Sequence, residues 1–135
     1  MATIKRFEDL EIWQEARRLS QEIIRLSKQT DLKSDFRLKD QIKASAGSVM
    51  DNIAEGFERD GNIEFRQFLS FTKGSSGETR SQLYRVFDNQ YIEKDEMEKL
   101  TSEYETLSRR IANFINYLNK KDFKGNKFKE NQPET

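Results

Sequence analysis

The chain has no cysteine, no histidine and a single proline among its 135 residues, and each absence closes off a class of chemistry or of fold. Without histidine there is no Ser-His-Asp or Cys-His nucleophile pair, no imidazole metal ligand, and no imidazole acid or base near neutral pH. Without cysteine there are no disulfides, thiolate nucleophiles, zinc-thiolate or iron-sulfur sites, which fits a reducing compartment and makes the cytoplasm the expected location. Pro133 is the only proline, and two valines stand against ten each of Leu, Ile and Phe. Strands are therefore poorly supplied while long helices run unobstructed, so the expected fold class is all-α. No run of 18 apolar residues exists, and the opening MATIKRFEDLEIWQ lacks an apolar block followed by small cleavage-site residues. Neither membrane spanning nor export is expected. An excess of one charge is missing too: 24 basic side chains balance 24 acidic ones, so any nucleic-acid binding has to come from local clustering of cations.

What is present is helical periodicity. Ile12, Ala16, Leu19, Ile23 and Leu26 recur at spacings of 4, 3, 4 and 3, which predicts a first helix over residues 10–29 with Asp9 as its cap. Leu38, Ile42, Ala46, Val49, Ile53 and Phe57 predict a second over residues 36–58. The stretch RDGN at 59–62 reads as a turn in which Asn62 caps the next helix. Gly74 and Gly77 then invite a loop at GSSG, since each glycine costs about 1 kcal/mol inside a helix. Phe65 and Leu83, like Phe68 and Val86, lie 18 residues apart, however, which is five helical turns, so the apolar face stays in phase and predicts one helix over 63–88. A fourth follows from Met97, Leu100, Tyr104, Leu107, Ile111, Phe114 and Leu118, alternating spacings of 3 and 4. The expected architecture is an antiparallel up-down-up-down four-helix bundle over residues 1–118, with 119–135 as a polar, disordered tail.

Three groups of residues bear on function. Asn52 and Glu55 in the second helix, with Ser75 and Glu78 in the third, sit among Ala, Gly, Ser and Thr where two backbones can approach, and they read as a structural polar layer fixing helix register. A carboxylate metal site from Glu55 and Glu78 would lack the Glu-x-x-His ligands of di-iron bundles, so no metal and no cofactor are expected. Arg18, Arg25 and Lys28 fall on one polar stripe of the first helix, and Arg109 and Arg110 form a second basic cluster. These five are the candidate nucleic-acid-binding residues, against the alternative that both clusters are solvated faces. The aromatic residues Phe7, Trp13, Phe36, Phe71, Phe87 and Tyr91 exceed what four helical seams need, and some are expected between subunits. No constellation marks an enzyme.

The strings FEDLEIWQEARRLS at 7–20, DNIAEGFER at 51–59, EFRQFLSFTKGSSGE at 64–78 and LSRRIANFINYL at 107–118 resemble the small four-helix-bundle proteins encoded in intervening sequences of bacterial large-subunit ribosomal RNA genes. The chain is similar, in bundle layout, to the accessory protein of diversity-generating retroelements. Met50 stands where that family commonly has proline, and Ile42-Lys43 where it has an arginine pair. The resemblance implies a nonenzymatic binding module that assembles into a cyclic homo-oligomer, usually a pentamer. It further implies RNA or DNA as partner, and in the retroelement branch a reverse transcriptase, with a purely protein-binding scaffold as the alternative.

Overall fold

The computed structural model describes residues 4–121 and consists there of four helices joined by short connections: α1 (Glu11–Gln29), α2 (Phe36–Glu58), α3 (Asn62–Asp88) and α4 (Lys94–Asn119). Short 3-10 turns precede α1, at Phe7–Asp9, and α2, at Asp31–Ser34. Pairs across the seams give the topology. Thr72 reaches Val49 and Thr79 reaches Ser45 between α2 and α3, Ser76 meets Ser108 while Asn62 meets Leu118 between α3 and α4, and Glu11 meets Arg110 while Arg25 meets Glu96 between α1 and α4. In each seam one number rises as the other falls, so neighbouring helices are antiparallel, as expected.

The core is the set of periodic apolar residues. Leu19, Ile23, Leu26, Ile42, Val49, Ile53, Phe65, Leu69, Leu107 and Ile111 have no exposed surface, and burying each such side chain stabilises the fold by roughly 1.5–3 kcal/mol. Gly56 is the one helical glycine that packing requires: a Cβ there would lie 2.6 Å from the Cβ of Phe68. Gly61 supplies the positive φ of 101° in the α2–α3 turn. No helix among the described residues is long and apolar enough to cross a membrane.

Several local expectations are corrected. Asp9 does not cap α1; it belongs to the preceding 3-10 turn, and Leu10 occupies the N-cap with no side-chain hydrogen bond. Asn62 does not cap α3 but is its first residue, behind Gly61. Its amide instead donates to the carbonyls of Leu118 at 2.8 Å and Lys121 at 2.6 Å, tying the start of α3 to the end of α4. The bundle thus extends past residue 118, and the rest of the expected tail, 122–135, lies outside the described residues. The small residues of α3 also behave differently from expectation. The helix is continuous through GSSG, but Gly74 and Gly77 do not serve contact with α2, because a Cβ at either, as at Gly47, would meet nothing within 4 Å.

Candidate nucleic-acid and self-association surfaces

At 100° per residue, α1 turns Ile12, Ala16, Leu19 and Ile23 inward and places Glu11, Glu15, Arg18, Glu22 and Arg25 on the flank toward α4. That flank is an ion-pair seam. Arg18 makes a forked contact with Glu15, its Nε and Nη2 donating at 2.8 and 2.7 Å, and it also donates to Glu103 of α4. Two turns further on, Arg25 Nη2 bridges Glu22 at 3.0 Å and Glu96 at 2.8 Å. Arg110 crosses the other way to Glu11 at 2.8 Å. Hydrogen bonds to Glu15 and Glu103 raise the Arg18 pKa, and that to Glu22 raises the Arg25 pKa. The Arg18 hydrogen bond lowers the Glu15 pKa, although partial burial works in the opposite direction.

The candidate phosphate-binding arginines are thus mostly committed within the chain. Arg109 too sits near Glu105, at 3.9 Å, and donates to the Thr106 hydroxyl at 3.2 Å. Of the five, Lys28 alone is exposed with no acid within 4 Å among the described residues. The partners of Arg18 and Arg25 stand three residues back on the same helix, off the polar stripe, and across the seam on α4.

The opposite flank of α1 keeps its cations. Trp13, Ile24, Arg17 and Lys28 fall within about 60° of arc on the side away from the α4 pairs. On α2, the hydroxyl bonds of Ser45 to Gln82 and of Ser48 to Ser75 mark the side toward α3, which leaves Lys39, Lys43 and Met50 on the side toward α1. Arg17, Lys28, Lys33, Lys39 and Lys43 make no ion pair among the described residues. Aromatic rings lie among them: the Arg17 guanidinium is 5.8 Å from the Trp13 ring centre, and Lys39 Nζ is 4.7 Å from that of Phe36. Lys39 Nζ also donates to the Lys33 carbonyl at 3.2 Å, which gathers Lys33, Phe36 and Lys39 at the α1–α2 corner. Asp35, the nearest acid in sequence to Phe36, is engaged elsewhere, accepting from the Leu38 N–H at 3.2 Å and from the Tyr91 hydroxyl at 2.8 Å.

A polar layer does join α2 to α3, but other residues build it. Ser45 donates to Gln82 at 2.6 Å and accepts from Thr79 at 2.8 Å, while Thr72 donates to the Val49 carbonyl; all four of these polar side chains are buried. Ser75 and Asn52 stand half-buried at the rim, both on Ser48. Glu55 and Glu78 are exposed, the first 3.9 Å from Arg59 and the second accepting weakly from Gln82. The expectation that they are buried layer members is corrected: their wheel positions lie just outside the contact, and carboxylates stay in water where it is within reach. Of the surplus aromatic residues, Phe7, Trp13, Phe87 and Tyr91 pack against the core. Phe36, 68% exposed, and Phe71, 52% exposed, do not.

The fold and these surfaces define a class: a closed helical bundle whose distinctive features lie on its outside. The chain belongs to the 23S rRNA-intervening sequence protein family, whose family model matches residues 8–113. A comparison with curated proteins gave no match.

Proposed function

We propose that this chain is a nonenzymatic binding module that assembles with copies of itself and holds RNA or DNA by its phosphates, without reading sequence. The observation that carries this is the α1–α2 flank, where Arg17, Lys28, Lys33, Lys39 and Lys43 stand outside every ion pair among the described residues while the arginines of the other flank are neutralised. A chain of zero net charge has no long-range field to gather a polyanion, so the contact is local and needs repetition. A ring of subunits supplies it, because linked copies multiply a weak site into avidity. Self-association has its own support. Gly47, Gly74 and Gly77 have open space at the Cβ position, a loss of helix stability that no contact among the described residues offsets, and Phe71 is exposed nearby on α3.

Fluorescence anisotropy with labelled RNA and DNA at about 50 mM salt tests the first part. Micromolar binding that weakens steeply with salt is expected, and Lys39→Glu with Lys43→Glu should lower it, while Arg109→Glu should leave it nearly unchanged. No binding at tens of micromolar protein leaves the protein-binding scaffold as the reading. Light scattering should report a closed oligomer, five chains being expected, and a monomer at micromolar concentration would overturn the second part.

A further inference from the structure

Phe36 is the first residue of α2 and its ring stands 68% exposed, although the same bundle packs Phe7, Trp13, Phe87 and Tyr91 against its core. Folding of the subunit leaves this ring outside the core. Three lysines gather beside it: Lys39 Nζ lies 4.7 Å from the ring centre and reaches across to the Lys33 carbonyl, and Lys43 follows Lys39 by one helical turn. Of the two acids nearest to it in sequence, Asp35 is held by the Leu38 N–H and the Tyr91 hydroxyl, and Asp40 is an exposed carboxylate that the lysines outnumber. An apolar ring beside unpaired lysines offers two unlike contacts, a flat face and a set of positive points. A protein partner could take either, but the ligand that carries flat apolar faces at regular intervals along a chain of negative charges is an unpaired nucleic-acid strand. A duplex has the charges but keeps its bases stacked inside, where Phe36 cannot reach them.

From this we infer that the corner formed by Phe36, Lys33, Lys39 and Lys43 selects single-stranded over double-stranded nucleic acid, the ring stacking on a base and the lysines holding the adjacent phosphates. The inference rests on the nucleic-acid reading above and names its ligand more narrowly. Stacking of this kind tolerates every base, so no sequence preference follows from it. RNA and DNA strands share both contacts, and the 2′-hydroxyl is the only group by which the protein would separate them.

The test uses the full chain and four labelled probes: a mixed-sequence 15-mer as single-stranded RNA, as single-stranded DNA, and each as a duplex, all at low salt. The single strands should bind several-fold more tightly than the duplexes. Phe36→Ala should weaken single-strand binding about tenfold, the scale of one lost base stack, and leave duplex binding unchanged, while Phe36→Trp should retain it. Lys39→Glu with Lys43→Glu should weaken both. Equal binding of strands and duplexes, untouched by Phe36→Ala, would overturn the inference and leave the broader reading standing. Absence of binding to every probe would overturn both. A drop in oligomer mass for Phe36→Ala would make the ring a contact between copies, and that too would overturn it.

Discussion

Tyr104 carries a hydroxyl into the middle of the bundle, where it finds no hydrogen-bond partner among the described residues. Burial raises its pKa, the Arg18 charge acting only weakly against this, so the group stays neutral and unpaired. A buried polar atom in this state destabilises by about 1–3 kcal/mol. Tyr104→Phe should therefore stabilise the fold by on the order of 1 kcal/mol once lost dispersion contacts are set against the gain, and raise the melting temperature accordingly. Thermal unfolding of the two proteins checks it, and a lower melting temperature in the variant would show that the hydroxyl has a partner after all. At this scale the sequence was a good guide to burial and a poor one to pairing. Periodicity identified Tyr104 as inward, but it carried no sign that Ser76 would bond the Tyr104 carbonyl while the hydroxyl was left alone. Arg18 and Arg25 show the same limit: their partners Glu103 and Glu96 stand 85 and 71 residues away in the chain, and only the folded seam brings them together.

Among the elements, α3 has the least favourable composition for a helix and is nevertheless unbroken over its 27 residues. The phase of Phe65, Phe68, Leu83 and Val86 decided this, since a helix that buries its face at both ends gains more from staying continuous than two glycines remove. Gly74→Ala and Gly77→Ala should each stabilise the subunit by up to about 1 kcal/mol, because a Cβ at either position meets nothing within 4 Å. If a second copy seats against this surface, the same two methyl groups should weaken assembly. Thermal unfolding together with light scattering separates the effects: a double variant that melts higher and keeps its full oligomer mass would place the contact between copies elsewhere. The helix ends were legible only in part. The start of α2 was placed correctly and is capped by Asp35. Asp9 and Asn62 are equally good capping types, but the 3-10 turn before α1 takes up the first, and the α4 terminus recruits the amide of the second. Capping preference is local, and both outcomes were settled by contacts that are not.

For the whole molecule, charge neutrality hides an internal division. The acids of α1 and α4 close the α1–α4 seam with Arg18, Arg25 and Arg110, while Arg17 and Lys28 on the other flank of α1, with Lys39 and Lys43 beside them on α2, stay outside the ion pairs of the described residues. Arginine remains charged throughout the accessible pH range, so the carboxylates are the groups that titrate. The Glu15 pKa is lowered from its ordinary value of 4.5, first by the hydrogen bond from Arg18, then by the fields of Arg18 and Arg110 acting against partial burial. A carboxylate whose folded pKa lies below its unfolded one binds protons more readily when unfolded, so its contribution is complete above about pH 4.5 and vanishes as pH falls through the lowered value. Glu15→Gln should accordingly melt below the parent at pH 7. The gap between the two should shrink as pH falls below 4.5, and close once Glu15 of the parent has itself become neutral. Melting curves for both proteins over pH 7 to 3 at low salt measure this directly. Added salt should narrow the gap at pH 7, because the pair is only partly buried and solvent ions screen it. A gap that stays constant down to pH 3 would mean that Glu15 acts through its shape and hydrogen bonds, and that its charge adds nothing to the seam.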